Sequence, residues 1–396
     1  MIPWNIWIIN LSGFLCNIST SLIFGISASF LRTIIGLNPA DIGLFQGIVD
    51  ASSFGTKLTA GFFSDFFRKR RMLIIVGIIL VTISKPMLAL ATSLPLVFAA
   101  RILDRVGNGI QSTPRDALLA DLCSEDMRGR CYGLRNVLTI LGSVIGSLLG
   151  IKLMLWTNNH FQSIFFLASI PAFLSLLVAI IFIPDSFSEK KEEKKSFVWS
   201  DLKILGAQFW KFIAVCFVFF IFRYNETILA VKATEELGLS HAYSAVVFLV
   251  YNIAICTFSY PFGLLSDKFP KERILLYCFF ISICGHLCCG FASSLIVLFL
   301  GIILWGAQMG AGNAVLFSLT ASYAPLHLRG TAFSIFFLTN FLATIISSLV
   351  FRCFCYNYGL NTPFLIGSFG VSFAALLLYL FFCRYEQNTS TTPAAV

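Results

Sequence analysis

The chain has 396 residues, of which 58% are hydrophobic and 12% are charged, whereas soluble domains are about half apolar and about a quarter charged. This composition excludes a water-soluble enzyme, a disordered chain, a collagen and a nucleic-acid-binding domain. The formal net charge is +9, from 28 Lys and Arg against 19 Asp and Glu, and in a membrane protein such an excess reflects basic loops on one side of the bilayer.

Twelve apolar stretches are each long enough to cross a hydrocarbon core of about 30 Å, which takes about 20 helical residues. In chain order they cover residues 6–31, 42–64, 72–91, 95–114, 131–155, 161–183, 208–230, 243–265, 273–291, 294–316, 331–351 and 362–383. The first span starts at once, without a basic segment or a small-residue cleavage site, so we expect no cleaved signal. These features predict an all-α, polytopic membrane protein with twelve transmembrane helices.

The loops predict the orientation and the domain boundaries. Most Lys and Arg residues outside the spans fall in loops on the same side as both chain ends, and such residues concentrate on the cytoplasmic side. The longest polar interruption contains the run EKKEEKK and separates six spans from six. We therefore predict a multi-pass protein of the cell (inner or plasma) membrane with both termini in the cytoplasm. Its predicted parts are a six-helix bundle (1–183), a cytoplasmic linker (184–206), a second bundle (207–384) and a cytoplasmic tail (385–396).

The two halves carry the same sequence markers in the same order. Gly61-Phe-Phe-Ser-Asp65 ends span two and Gly263-Leu-Leu-Ser-Asp267 ends span eight, with the two aspartates 202 positions apart. Two further pairs are each 201 positions apart: Arg128-Gly129 with Arg329-Gly330, and Gly109 with Gly310. Three ordered pairs at nearly one offset indicate duplication of a six-span unit. Because six is even, both copies have the same orientation.

Each copy of the repeated loop resembles the loop motif of the major facilitator superfamily, in which a glycine and an aspartate are followed by basic residues around a second glycine. The matching residues are Gly61, Asp65, Arg70 and Arg71 in the first copy, and Gly263, Asp267, Lys268, Lys271 and Arg273 in the second. Phe66, Arg68, Pro270 and Glu272 depart from the pattern. The resemblance covers nearly the whole chain. It implies two parallel-repeat six-helix bundles around a central cavity that opens to one side at a time, with no enzymatic activity.

The loop residues also predict a conformational gate on the cytoplasmic side. A carboxylate is favoured beside a helix N-terminus, where backbone N–H groups lack partners. We hypothesise that Asp65 caps span eleven and Asp267 caps span five when that side is closed, and that Arg115 bridges Asp65. The predicted gate residues are Gly61, Asp65, Arg70, Arg71, Arg115, Gly263, Asp267 and Lys271. The alternative is that these residues only set the topology.

Charges predicted to lie inside the membrane are candidate functional groups, because an ionisable side chain there is costly. Arg105-x-x-Asn108-Gly109 resembles the fourth-helix R-x-x-Q-G motif of the same superfamily, with Asn in place of Gln. The resemblance also implies that spans one, four, seven and ten line the cavity. The predicted substrate-binding residues are Arg101, Arg105, Asn108, Arg223, Trp305 and Gln308. A basic wall facing an aromatic, amide-bearing wall suits an amphipathic or anionic organic solute.

Coupling to protons is expected, because a buried carboxylate can load and release a proton as access alternates. The candidates are Asp50, Glu226 and Asp104. The alternative is that the charges form static pairs: Asp104 with Arg105, Arg223 with Glu226 at i+3 of one helix, and Asp50 with Lys57.

Direction of transport is only weakly encoded. Gly142, Gly146 and Gly150 match part of the fifth-helix signature of drug exporters in the superfamily, while Ser147 and Ile151 replace its proline and last glycine. The match mildly favours export, and the same spacing is also typical of close helix packing. The first hypothesis is a monomeric, proton-coupled transporter of a small organic solute in the lipid bilayer. Its alternatives are a proton-coupled importer of an organic anion, sugar phosphate or siderophore-like solute, and a sensor or scaffold without flux.

Cofactors and metals are not expected. There is no glycine-rich phosphate loop. Cys284, His286 and Cys288 do not form a favourable ligand set, because residue 286 points away from the other two on a helix. Nucleic acid is not an expected partner, because the basic loops account for the charge.

Overall fold

The computed structural model describes residues 3–67, 70–123, 128–184, 205–325 and 328–383. The fold is all-α, as the sequence predicts, and each of the twelve predicted spans is occupied by helix. The first half forms α1 (Trp4–Thr33), α2 (Pro39–Phe67), α3 (Arg70–Ala89), α4 (Leu94–Leu122), α5 (Arg128–Trp156) and α6 (Phe161–Phe182).

The second half contains one more helix than it has spans. It forms α7 (Gly206–Ile221), α8 (Thr227–Glu235), α9 (Ser244–Lys268), α10 (Lys271–Gly290), α11 (Leu295–Ser322), α12 (Arg329–Tyr358) and α13 (Asn361–Leu378), the last followed by a π-helical turn, Tyr379–Cys383. A 3₁₀ turn, His241–Tyr243, precedes α9.

Span seven is therefore broken, and the predicted continuous span at 208–230 is wrong in this respect. Helix α7 ends at Ile221 and α8 begins at Thr227. The backbone N–H groups of Phe222 and Arg223 donate to the carbonyls three residues earlier, which tightens the last turn of a helix as it ends. The intervening residues Arg223-Tyr-Asn-Glu226 are a polar run inside an apolar stretch. We refer to residues 222–226 as the span-seven break.

Nine helices of the described chain are long and apolar enough to cross a membrane, and α7 is apolar but shorter. Helices α2 and α4 are also long enough, at 29 residues each, since 20 residues span about 30 Å. They fall outside the nine, and they carry the charged side chains Asp50, Lys57, Arg101, Asp104 and Arg105. Three of the twelve predicted spans are therefore more polar or shorter than the other nine: α2, α4 and the broken span seven.

Packing divides the chain into two compact units. The first contains α1 to α6 together with Glu226–Asn252, which includes α8 and the start of α9, while the second contains α7, the remainder of α9 from Ile253, and α10 to α13. The chain thus passes from the second unit to the first inside the span-seven break. The predicted domain boundaries at residues 183, 206 and 384 were placed from the spans and the polar interruption, and they stay a prediction. The tail 385–396 lies outside the described residues.

The repeat is visible in how equivalent helices pack within each unit. A Cβ on Gly109 of α4 would meet the Ser53 carbonyl and Thr56 of α2, and a Cβ on Gly310 of α11 would meet the Ile255 carbonyl of α9. Ser53 and Ile255 are 202 positions apart, the same offset as the two loop aspartates. The predicted glycine pair thus marks the same close crossing in both units.

The glycine series of α5 lies against α1. Cβ atoms on Gly142 and Gly146 would meet the carbonyl oxygens of Phe14 and Ile18 at 2.8 and 2.6 Å. Because no hydrophobic force drives two helices together inside lipid, such close backbone approach contributes much of the packing there. The interpretation of this spacing as helix packing is confirmed.

Candidate functional site

The charged residues of α2 and α4 form one connected group, which we call the α2–α4 network. Arg105 Nε lies 3.2 Å from Asp50 Oδ1. Gln46 Nε2 donates to Asp50 Oδ1 at 3.5 Å, and Arg101 Nη2 donates to Gln46 Oε1 at 3.3 Å. The network therefore consists of Gln46, Asp50, Arg101 and Arg105. Gln46 was not predicted, although it lies four residues before Asp50 on the same helix face.

Both arginines of this network lie over one aromatic ring. The Cζ atoms of Arg105 and Arg101 are 5.0 and 5.8 Å from the centroid of the Phe24 ring of α1. A guanidinium within about 6 Å of a ring is attracted by its electron-rich face. Phe24 is one of 43 phenylalanines, and nothing in the sequence distinguishes it.

Exposure separates Arg105 and Asp50 from the charges around them. Their side chains are 15% and 21% exposed, whereas Arg101 is 2% exposed. Lys57, the alternative partner for Asp50, lies over the Phe54 ring with its Nζ 5.5 Å from the centroid. The Arg105–Asp50 pair is thus the part of the network that can meet solvent.

Asp104 belongs to a separate, buried ion pair. Lys85 Nζ of α3 lies 2.5 Å from Asp104 Oδ1, and the two side chains are 1% and 3% exposed. Asn108 Nδ2 donates to the backbone oxygen of Asp104 at 2.9 Å. The alternative pairing of Asp104 with Arg105 is wrong, because each residue has a different partner on another helix.

The polar region continues from α4 towards α1 through neutral groups. Gln111 Nε2 donates to Asn108 Oδ1 at 3.1 Å and to Cys16 Sγ at 3.2 Å. All three side chains are buried or half-buried. Asn108 therefore links the Lys85–Asp104 pair to α1.

Several predicted gate residues hold helices together inside their own unit. Arg70 Nη1 donates to the Ala117 carbonyl at 2.9 Å, and Arg71 Nη2 to the Ile180 carbonyl at 2.6 Å. The Arg115 guanidinium packs against Gly13 of α1. In the second unit Lys271 Nζ donates to Ser322 Oγ at 3.2 Å.

The hypothesis that aspartates cap the helices opening spans five and eleven concerns side chains outside the described part of the structure. These are Asp65 and Asp267, together with the surroundings of Gly61 and Gly263. The gate stays a prediction. A charge pair that was not predicted lies near it: Arg135 Nη2 of α5 donates to Asp116 Oδ2 at 2.8 Å.

The second unit contains aromatic side chains together with a buried imidazole, His286, and a buried amide, Gln308. Trp305 stacks on His286 with ring centroids 4.4 Å apart, and Trp305 and Gln308 are 3% and 2% exposed. Arg223 Cζ lies 5.5 Å from the centroid of the Phe220 ring. The helical i+3 spacing expected for Arg223 and Glu226 is not present, because both residues lie in the span-seven break, and their pairing stays a prediction.

The segment Glu226–Asn252 packs on α1 within the first unit. Arg32 makes a two-point contact with Glu235, at 2.9 Å from Nε and 2.8 Å from Nη2. His241 Nδ1 lies 3.3 Å from Ser29 Oγ, and Ser244 Oγ donates to the Gly25 carbonyl at 3.3 Å. We call these three interactions the outer contact, because both segments lie at the predicted non-cytoplasmic ends of their spans.

The outer contact adjoins the α2–α4 network. Phe24, which lies under both arginines, packs edge-on against Phe248 of α9 at 4.8 Å. Its neighbour Gly25 lies against Ala245, which a Cβ on Gly25 would meet at 2.9 Å. One turn of α1 therefore touches both the arginines and the segment Glu226–Asn252.

An all-α fold of membrane-length helices, with charged groups concentrated on two of them, defines a multi-pass membrane protein with a polar interior. The family model of the Major Facilitator Superfamily matches residues 9–231 and 212–395, and the chain belongs to this family of membrane transporters. Comparisons with curated proteins and with solved structures show which proteins the chain is similar to.

Among curated proteins, an uncharacterised MFS-type transporter of Methanocaldococcus jannaschii is 26% identical, covering 94% of each chain. Multidrug resistance protein 2 of Bacillus subtilis is 25% identical, covering 69% of this chain and 70% of that protein. Among solved structures, a POT family transporter in complex with 5-aminolevulinic acid superposes with a TM-score of 0.82 over 96% of each chain at 13% identity. That likeness shows the fold alone.

Proposed function

We propose that the chain is a proton-coupled secondary transporter that moves a small organic anion by alternating access. The observation that carries this proposal is the charge of the α2–α4 network, in which two arginines, Arg101 and Arg105, accompany the carboxylate of Asp50, while the neighbouring Asp104 is paired with Lys85. Apart from its ion pair with Asp50, Arg105, the more exposed of the two guanidinium groups, has no hydrogen-bond partner for its Nε within the described residues, and a buried donor without a partner costs free energy. A carboxylate or phosphate of a solute supplies both the missing charge and the missing acceptor.

Asp50 provides the coupling in this mechanism. While Asp50 is charged it occupies Arg105, at 3.2 Å. When it takes up a proton the ion pair is weakened, and the guanidinium becomes available to the anion. Proton and anion then bind together, which is the condition for symport. An inward proton gradient would therefore drive uptake.

Phe24 links binding to the change of access. The ring lies under both guanidinium groups and against Phe248. An anion that draws Arg105 away from Asp50 also alters the face on which Phe24 packs, and so the interaction with the segment Glu226–Asn252. The roles of Asn108, Arg223, Trp305 and Gln308 as substrate-binding residues stay predictions from the sequence.

Transport by purified protein in liposomes tests this function. The liposomes contain a trapped pH-sensitive dye, and the solutes are radiolabelled p-aminohippurate as an organic anion and 5-aminolevulinic acid, which also carries a carboxylate. We expect uptake of at least one anion together with lumenal acidification, and strong loss of both in R105Q. R352Q is the matched control, because Arg352 is an exposed arginine of α12. Uptake without proton movement, or equal uptake by R105Q, would contradict the proposal.

Export of an amphipathic solute is the second candidate function. It is supported by the similarity to multidrug resistance protein 2 of Bacillus subtilis and by the glycine series of α5. Proton and solute would then compete for Asp50, and a cation would be the preferred solute. Ethidium release from the same liposomes against an opposing proton gradient distinguishes the two functions. The absence of flux with all three solutes would favour the sensor or scaffold alternative.

A further inference from the structure

His286 is a buried imidazole of the second unit that the proposed transport mechanism does not use. It lies on α10 with 1% of its surface exposed. Its Nδ1 is 2.8 Å from the Ser282 carbonyl oxygen, and its Nε2 is 3.2 Å from the Phe222 carbonyl oxygen. Both ring nitrogens therefore face backbone acceptors.

The number of protons on the ring decides whether these contacts are favourable. A carbonyl oxygen only accepts hydrogen bonds, and a neutral imidazole carries one N–H. In either neutral tautomer one nitrogen lone pair would face a carbonyl oxygen. Ser282 Oγ, 3.4 Å from Nδ1, could donate to a neutral Nδ1, but the Ser282 carbonyl would still lie 2.8 Å from the same nitrogen. Only the imidazolium donates to both carbonyls.

Two further contacts favour a cation at this position. Trp305 of α11 stacks on the ring at 4.4 Å with an interplanar angle of 29°, and an indole face attracts a cation. Phe222 is the C-cap residue that directly follows α7, and the carbonyls at the C-terminal end of a helix carry partial negative charge. The imidazolium would therefore neutralise a helix end that the span-seven break leaves open.

The other groups around the ring are also defined. From the break, the Tyr224 ring lies 6.3 Å away and Arg223 is the charged neighbour of Phe222, with its guanidinium over the Phe220 ring. On the side of α13, the backbone of Gly367 comes so close that an added Cβ would lie 2.9 Å from His286 Nε2. The titratable groups nearby on α10 itself are Cys284, Cys288 and Cys289.

We propose that His286 is a proton-binding site of the second unit, and that the bound proton holds the end of α7 against α10 through the Phe222 carbonyl. Loss of the proton from Nε2 removes the donor to the Phe222 carbonyl and loosens this attachment, whereas the Ser282 carbonyl lies inside α10 and keeps its helical hydrogen bond. The chain passes between the two packing units three residues after Phe222. Proton binding at His286 therefore biases the conformation of the span-seven break, in which the chain passes from one packing unit to the other. The link to transport rests on the proposed function, whereas proton binding by His286 does not.

Histidine side-chain NMR tests the proton site directly. Protein labelled with ¹⁵N-histidine is reconstituted in lipid nanodiscs and titrated from pH ~3.5 to ~8, a range that extends below the usual histidine transition because burial opposes the charged ring. The signals of His286 are those that vanish in H286N, and H160N is the matched control at an exposed histidine. We expect both ring nitrogens of His286 to carry protons over the acidic part of this range. A neutral ring throughout would overturn the proposal.

A second variant keeps the histidine in place. In G367A the added methyl group would displace the ring from the Phe222 carbonyl, and proton affinity is expected to fall at least about tenfold. An unchanged titration in G367A would show that the Phe222 contact does not hold the proton. In liposomes H286N is expected to lose proton-driven accumulation of p-aminohippurate while keeping exchange across the membrane. If the wild type moves no solute, the proposed function fails, and the NMR result still decides the proton site.

Discussion

The buried pair Lys85–Asp104 gives the sharpest test of which intramembrane charges are structural. The two side chains are 2.5 Å apart and 1% and 3% exposed, so neither can regain water when its partner is removed. Breaking a buried pair on one side costs about 3–5 kcal/mol, whereas replacing both charges is close to neutral. In a unit of this size 1 kcal/mol shifts the melting temperature by about 2–4 °C. We therefore expect K85M and D104N each to melt about 6–20 °C below the wild type.

The double variant K85M/D104N completes the cycle. We expect it to melt well above either single variant, because the coupling between residues in contact makes their effects non-additive. The melting of purified protein is followed with a thiol-reactive dye that reports exposure of buried cysteines. Additive losses in the double variant would refute the assignment of this pair as a structural unit. Retained proton-driven uptake in the double variant would also remove Asp104 from the proposed coupling residues.

Three further predictions follow from the other contacts. R32A and E235A each remove the two-point bridge of the outer contact, which is worth about 0.2–1 kcal/mol at this exposure. We expect faster hydrogen exchange of α8 amides in both, with recovery in the swapped variant R32E/E235R. Unchanged exchange would show that the bridge does not hold α8 against α1. D50N should abolish the pH dependence of p-aminohippurate uptake but leave exchange intact, and a retained pH profile would place the coupling elsewhere. G146A should destabilise the protein by about 1–3 kcal/mol, because the added methyl group overpacks against α1, and this is measured as a lower melting temperature. G133A is the control and should melt like the wild type, because a Cβ at Gly133 meets nothing within 4 Å. Equal melting of these two variants would show that the α1–α5 crossing has room to relax.

The span count and the duplication were predictable from the sequence because both depend on properties of long segments and not on the contacts of single side chains. Hydropathy over about 20 residues locates a span whatever its rotation. The structure also contains a pair of equivalent residues at the repeat offset of 201 positions that was not used for the prediction. Ser93 and Ser294 both have extended backbone just before the helices that open spans four and ten. The break in span seven was hidden by the same averaging, although the polar run at 223–226 is a visible signal for it.

The partners of the charged residues were not predictable from sequence spacing. Spacing shows which side chains share a face of one helix, and it suggested pairs within α4 and within span seven. The observed partner of Asp104 lies on α3, and that of Arg105 lies on α2. Such pairs depend on how each helix is rotated against its neighbour, which glycine contacts such as Gly77 against Gly107 set. The rotation of one helix against its neighbour cannot be derived from a single sequence.

The described charges of α4 differ chiefly in their access to water, and this difference supports the roles proposed for them. Asp104 is sealed against Lys85, so exchanging its partner would expose a bare charge to a low dielectric at a cost of several kcal/mol. Arg105 and Asp50 keep 15% and 21% of their side-chain surface exposed, and water or a solute anion can replace either partner at a much lower cost. A transporter must release its solute in every cycle, so its binding pair has to be the exchangeable one. The fourth helix thus carries its fixed charge and its exchangeable charge at adjacent positions, directed to different neighbouring helices.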